Sequence, residues 1–210
     1  MTCLLTHVFV DFDGTVTNVD TFDVLVRHFA GPERWAELET HLHDGTMTLR
    51  EVLAAQAHFV QGSVDEADAL LDQAAHVDAT FPHFVARCEQ MRIPLTIVSS
   101  GIAPLIERAL ARYDLAVDVL ANELEVTPGG WVMQFRDSSA NGHDKAAAVL
   151  RAKERGAVAY AGDGYSDFDA ALAADYRFAK RGRSLERYLT EKGVPFTPFS
   201  SFTEVEAALF

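Results

Sequence analysis

Cysteine is nearly missing from this 210-residue chain, with only Cys3 and Cys88 present. Their spacing fits no metal finger, and two cysteines are too few for a secreted disulfide scaffold, so both read as free thiols. Basic runs are absent as well. Eighteen lysines and arginines face 31 acidic side chains, for a net charge of −13. That balance argues against nucleic acid and anionic membrane surfaces as partners, although a local site can still bind an anion. No stretch approaches the roughly 18 uninterrupted apolar residues of a membrane span. The opening Met1-Thr2-Cys3-Leu4-Leu5-Thr6-His7 has no cationic start followed by a long apolar core, so the expected location is the cytoplasm. Internal repeats, low-complexity tracts and disordered linkers are also lacking. An apolar fraction of 49% and a charged fraction of 23% fit one globular domain, or one domain with a modest insertion.

What is present is concentrated early. Val8-Phe9-Val10 is a short apolar run of the kind that ends a buried strand, and Asp11-Phe12-Asp13-Gly14-Thr15 follows it directly. Two carboxylates at a buried strand end are costly unless a cation or a proton offsets them. Gly14 permits the sharp turn that takes the backbone away from the strand. An EF-hand reading of residues 11–20 fails, because the glycine is misplaced and the segment starts in an apolar strand.

From residue 17 the pattern turns helical for about sixty residues with no plausible strand. Phe22, Leu25, Val26 and Phe29 make one helical face that Gly31-Pro32 ends, and Phe22 and Phe29 read as core. The capping boxes Thr48-x-x-Glu51 and Ser63-x-x-Glu66 open two further helices. His41-Leu42-His43 lies in a polar helical stretch and reads as solvated surface. Beyond residue 80, helices and strands alternate. Strands are expected at 93–98, 120–126, 131–135, 157–161 and 176–179, with a hairpin at Thr127-Pro128-Gly129-Gly130. Helices are expected from Phe81 through Met91, from Ile102 to Tyr113, over 143–155 up to Gly156, from about Asp167, after Ser184, and behind a capping box Ser201-x-x-Glu204. This order implies an α/β fold, a mainly parallel Rossmann-like sheet carrying an inserted all-helical cap. The expected boundaries are 1–16 and 80–210 for the core and 17–79 for the cap.

Ligands bind beyond the carboxyl ends of such strands, where Asp11/Asp13, Ser99/Ser100 and Asp163/Asp167 all fall. Asp11 and Asp163 can each give one oxygen to a single cation. Magnesium suits them best, since it takes few protein ligands, and the absence of nearby His or Cys speaks against zinc. Lys145 can bring an ammonium beside the acids and bind a phosphoryl oxygen. Ser99, with Ser100 beside it, and the backbone N–H groups after Gly101 supply neutral donors for the same group. A carboxylate nucleophile, a metal and a fixed lysine together make a phosphoryl-transfer site.

Asp11-Phe12-Asp13-Gly14-Thr15, Ser99, Lys145 and Gly162-Asp163-Gly164-Tyr165-Ser166-Asp167 resemble, in order, the four motifs of the haloacid dehalogenase superfamily. The resemblance spans the chain, and the motif spacing is that of the branch with a helical cap after the first motif. It implies a phosphatase working through an aspartyl-phosphate, with Asp11 attacking phosphorus and Asp13 serving as acid and then base. It also implies magnesium held by Asp11, the Asp13 carbonyl and Asp163, Asp167 supporting through the metal's waters, and Ser99 and Lys145 on the phosphoryl group. An aspartate at position 13, absent from dehalogenase members, favours phosphatase over dehalogenase.

Within that superfamily the chain is similar to the phosphoserine phosphatase-like group. Asp20 stands where phosphoserine phosphatases carry a glutamate that reads the substrate's amino group. Gln56 stands where their carboxylate-binding arginine is expected, and Arg50, six residues earlier, is the candidate substitute. The stretches Thr17-Asn18-Val19-Asp20 and Gly162 to Asp169 look closer to methionine-salvage enol-phosphate and phosphocholine/phosphoethanolamine phosphatases. The run before Lys145 lacks the cysteines of some salvage enzymes. The expected partner is a small phosphorylated metabolite. The rivals are phosphoserine phosphatase itself and a catalytically silent metal or phospho-ligand binding module. Tyr165 and Ser166 read equally as helix caps or site contacts.

Overall fold

A computed structural model describes residues 4–210. Cys3 lies outside the described residues. Strand β1 (Leu5–Val10) is central in a seven-stranded sheet. On one side of it lie β2 (Leu95–Ile102), β3 (Asp118–Thr127) and β4 (Gly130–Gln134), and on the other β5 (Ala157–Gly162), β6 (Tyr176–Lys180) and β7 (Thr197–Phe199). Every pairing is parallel except the β3–β4 hairpin. Val10 is in register with Ile97 on one side and Ala161 on the other, so β1 and β5 end nearly level while β2 runs on past them. Strand order reverses at β1, and that switch point is where open α/β sheets form their ligand crevice.

Side-chain alternation assigns the two faces. Val8, Val10, Ala159 and Ala161 pack with Phe81, Phe84, Ile106 and Phe202, from α5 (Phe81–Gln90), α6 (Ala103–Ala111) and α10 (Phe202–Leu209). Phe9, Val158 and Tyr160 pack on the other face with α7 (Lys145–Lys153), α8 (Phe168–Ala173) and α9 (Ser184–Glu191).

The expected helical stretch consists of α1 (Thr21–Ala30), α2 (Pro32–His43), α3 (Leu49–Phe59) and α4 (Val64–Ala74). Both capping boxes form, at Thr48/Glu51 and Ser63/Glu66. These helices share a third core with the hairpin and α6: Phe22, Leu25, Val26, Leu53 and Leu71 meet Leu105, Trp131 and Met133. Trp131 Nε1 donates to the Gly62 carbonyl at 2.7 Å, and Arg108 on α6 and Arg112 at its C-terminal cap pair with Asp65, Asp68 and Asp72 on α4. Among the described residues, no helix is long and apolar enough to cross a membrane.

Three local expectations are corrected. Strand β2 starts at Leu95 and runs on to Ile102, past the expected end at Val98, because Ser99 and Ser100 are buried and Asn122 Nδ2 holds the Ser100 carbonyl at 2.7 Å. β7 is an additional edge strand, three residues long with a proline at its centre and therefore without a readable period. Ser201 does not form its capping box. The Glu204 carboxylate instead accepts from Ser200 N at 3.1 Å and pairs with Arg181.

Candidate active site

Asp11 is fixed at the end of β1, its N–H donating to the Ala161 carbonyl of β5 at 2.9 Å. The chain then makes a wide turn over Phe12–Val16, closed by Thr17 N on the Phe12 carbonyl at 3.0 Å. Gly14 sits at φ +72°, and a Cβ there would collide with the Asp163 carboxylate, so only glycine lets the β1 and β5 ends approach this closely. Gly162 faces the same limit against Asp167.

The two early aspartates have separate surroundings. Asp11 Oδ1 accepts from the buried Lys145 ammonium at 2.7 Å. Asp13 turns the other way. Its Oδ1 accepts from Thr21 N at 2.9 Å and Thr21 Oγ at 2.5 Å, and its Oδ2 accepts from Ser99 Oγ at 3.4 Å. Burial holds the Asp13 carboxyl above its usual range, with the Thr21 bonds pulling the other way.

Asp11, Asp163 and Asp167 can bring one carboxylate oxygen each to within 4.8 Å of one another. Lys145 pairs with Asp11 and Asp167, and Arg183 Nε lies 3.8 Å from Asp163 Oδ2, so two cations face the three acids. Burial, then the Asp167 charge, pushes Asp163 up to about 7. Burial and the Asp167 charge also raise Asp11, with Lys145 opposing them. Burial alone would lower Lys145, yet the Asp11 and Asp167 charges raise it beyond the ordinary lysine range. An all-oxygen, acidic donor set fits a hard divalent cation.

Asp167 itself is fully engaged. Its Oδ1 accepts from Lys145 Nζ at 2.7 Å and Tyr160 OH at 2.6 Å, and its Oδ2 from Asp163 N at 2.9 Å and Gly164 N at 2.8 Å. It holds Lys145 and the Asp163 loop in place. Asp13's side chain lies outside the acid cluster, its Oδ1 held by Thr21. Ser99 reaches the site, its Oγ accepting from the Gly101 N–H at 2.9 Å. Ser100 lines the pocket, yet its hydroxyl is donated to the Asn141 carbonyl at 2.9 Å.

A cavity of about 210 Å³ opens between these strand ends and α1–α3. Asp20 and Gln56 line it, and so do Tyr165 and Ser166. Asp20 also caps α1, accepting from Asp23 N at 2.9 Å. Loss of surrounding water, then the Asp13 and Asp23 charges, raise its carboxyl well above the usual range, although the residue stays open to the cavity. Arg50 is not brought to the site. Its guanidinium donates to the Asp137 carbonyl at 2.5 Å and lies 4.0 Å over the Phe135 ring, which corrects its candidacy as a substrate anchor. His41 and His43 are exposed, and His41 Nδ1 meets Thr46 Oγ at 2.9 Å.

Five contributors escape the sequence reading. Thr21 clamps Asp13, and Tyr160 braces Asp167. His143, kept below its usual pKa by burial, contacts the Ser99 carbonyl through Nδ1 at 3.1 Å. Asp23 and Glu39 line the cavity wall. Tyr160 carried a readable signal, since a phenol among alanines in a buried strand must find a polar partner.

Residues 8–172 match the family model described as haloacid dehalogenase-like hydrolase. The chain is 32% identical to Pdp3-interacting factor 1 of Schizosaccharomyces pombe, covering 97% of this chain and 94% of that protein. It is 30% identical to the polyol phosphate phosphatase PYP1 of Saccharomyces cerevisiae, covering 96% and 91%. It is 31% identical to a 2-hydroxy-3-keto-5-methylthiopentenyl-1-phosphate phosphatase of Microcystis aeruginosa, covering 96% of each chain. In fold it is similar to a phospho-aspartyl intermediate analogue of phosphoserine phosphatase, with a TM-score of 0.78 at 15% identity over 98% of this chain and 99% of that one. With four motifs meeting at one sheet edge and a family model covering most of its length, the chain belongs to the haloacid dehalogenase-like hydrolase family.

Proposed function

We propose that this protein is a magnesium-dependent phosphomonoester hydrolase acting on a small metabolite through a phospho-Asp11 intermediate. The observation that carries this reading is the split between the two carboxylates. Asp11 stands in the acid cluster with an oxygen on Lys145, while Asp13 is held apart by Thr21 and Ser99. Two acids with different surroundings can take different roles, one as nucleophile and one as proton carrier.

Asp11 attacks phosphorus in line with the departing oxygen, and its carboxylate becomes a mixed anhydride. Asp13, raised by burial, carries the proton that the leaving alkoxide takes. Its carboxylate then accepts a proton from the water that attacks phospho-Asp11, which restores both acids and frees inorganic phosphate. Lys145 and Ser99 steady the phosphoryl oxygens, and Tyr160 and Asp167 keep Lys145 aimed. Asp11, the Asp13 carbonyl and Asp163 would hold magnesium, which supplies positive charge for the phosphoryl oxygens in the transition state. Helices α1–α4 act as a cap spanning 17–79 over a core of 1–16 and 80–210.

The names of the relatives point to phosphorylated polyols and to a hydroxy-keto enol chain as the kinds of substrate their proteins take. Phosphoserine fits less well, because Gln56 replaces an arginine and Arg50 is held on Asp137. The test is hydrolysis of an aryl phosphate by purified protein with magnesium and with EDTA. Turnover restored by magnesium supports the reading. Full turnover in EDTA, with no metal by elemental analysis, contradicts it.

A further inference from the structure

Regular pairing stops holding β2 before the strand ends. Ile97 is its last residue in register with β1, and the β2–β3 register shifts between Val98 and Ile102. Ser99 and Ser100 fall in that break, yet both are buried, so their carbonyls need partners from outside the ladder. Two side chains supply them. Asn122 Nδ2 donates to the Ser100 carbonyl at 2.7 Å, and His143 Nδ1 lies 3.1 Å from the Ser99 carbonyl. A carbonyl oxygen only accepts, which places the His143 proton on Nδ1. Burial keeps the pKa of His143 below its ordinary value, so the ring is neutral and that N–H is its single donor.

The turn that carries His143 is itself pinned. The Asp137 carboxylate accepts from Ser139 N and Asp144 N, each at 2.9 Å. From the cap, Arg50 donates to the Asp137 carbonyl through its guanidinium and to the Ala140 carbonyl through its N–H. The Asn141 carbonyl takes the Ser100 hydroxyl. Lys145 follows two residues after His143 and opens α7, so one imidazole ties the start of α7 to the end of β2. Ser99 and Lys145, the two side chains proposed for the phosphoryl oxygens, are thereby linked to each other. Small displacements matter at this point. Ser99 Oγ lies 3.4 Å from Asp13 Oδ2, and a Cβ on Gly101 would stand 2.6 Å from the same oxygen. A misplacement of about 1 Å at such a site can lower a rate by about a hundredfold.

We infer that His143 is a positioning residue for phosphoryl transfer, its Nδ1–H fixing the Ser99 carbonyl and so setting the Ser99 hydroxyl relative to Asp13 and Lys145. This rests on the phosphomonoesterase reading and adds to it a residue that does not line the cavity and acts only through another.

The test measures kcat on p-nitrophenyl phosphate with magnesium, with folding of each variant checked by thermal melt. His143→Asn puts an amide N–H about where Nδ1 stands, whereas His143→Gln carries it one carbon further, toward Asp137. His143→Asn should keep kcat within about threefold of wild type, and His143→Gln should lower it by about tenfold or more. His143→Leu, which also lacks the donor, takes the place of His143→Gln should that variant not fold. If His143 acts through Ser99, the loss should shrink once the serine hydroxyl is gone. Adding His143→Gln to Ser99→Ala should therefore lower kcat by less than about a further threefold, whereas a general loosening of the fold would weigh equally in both backgrounds. Wild-type kcat in a folded variant without the donor overturns the inference and leaves the hydrolase reading intact. So does an equal loss in His143→Asn and His143→Gln, or an undiminished loss in the Ser99→Ala background. Absence of turnover by the wild type overturns the hydrolase reading itself, and the positioning role with it.

Discussion

Lys145 Nζ lies 2.7 Å from Asp11 Oδ1 and 2.7 Å from Asp167 Oδ1, with all three side chains buried. The ammonium is therefore the counter-charge that keeps two acids in the interior, beside its proposed role on the phosphoryl oxygens. Lys145→Met should abolish turnover and also destabilise the fold by about 3–5 kcal/mol, the usual cost of removing one partner from a buried pair. Urea denaturation alongside an aryl phosphate assay checks this. A folded variant of unchanged stability would show that the pairing contributes little.

Tyr160→Phe removes one of the four donors on Asp167. Loss of a hydrogen bond to a charged group should cost about 1.5–3 kcal/mol. Because Asp167 also positions the Asp163 loop, the apparent magnesium affinity should fall by about tenfold or more, as for other residues that orient metal ligands. Magnesium titrations of activity measure the second effect apart from the first. A stability loss without any change in magnesium dependence would confine Tyr160 to packing.

The fold and the motif positions were legible because their signals are local. Val8–Val10 followed by Asp11-Phe12-Asp13-Gly14 needs only a period and a turn residue to read. The capping boxes at Thr48 and Ser63 likewise depend on two residues three apart. Arg50 was misjudged because its partner, the Asp137 carbonyl, is 87 residues away and carries no side-chain signal. Glu39 and Asp23 were passed over because a polar face on an amphipathic helix looks solvated until another element closes over it. Ser201 showed the converse weakness, since its box motif is present while Arg181 and Ser200 take Glu204.

Stability of the metal-free protein should depend on pH through the acid cluster. Asp163 is raised to about 7 in the fold, and Asp11 is raised as well, against a carboxylate near 3.9 in the unfolded chain. The unfolded state thus loses its proton first. Stability from the protonated acid is fully present below about pH 4 and is lost as pH rises through 7, with a limiting slope of about 1.4 kcal/mol per pH unit per group. A divalent cation replaces the proton, so the increase in Tm on adding magnesium should be larger at pH 8 than at pH 5. Thermal melts in EDTA and in magnesium across that range decide it. An increase independent of pH would contradict the assignment of these acids as ligands.

Asp20 has two duties that two substitutions separate. Asp20→Ala removes the α1 cap and should cost about 1 kcal/mol, whereas Asp20→Asn keeps a capping oxygen and should cost little. If the carboxylate also reads the leaving group, both variants should lower kcat/KM for the best natural substrate more than for an aryl phosphate. Equal losses on the two substrates would restrict Asp20 to capping.

The central claim is a covalent phosphoryl group on Asp11. Rapid acid quench of the enzyme during turnover, followed by peptide mass mapping, should find one phosphoryl group on the peptide carrying Asp11, and alkali should release it. The same experiment on a folded Asp11→Asn variant should find none, with kcat below about a tenth of wild type, because a neutral amide cannot attack phosphorus. Phosphoryl mass on another residue, or an Asp11→Asn variant that keeps a tenth or more of wild-type kcat, would contradict the account.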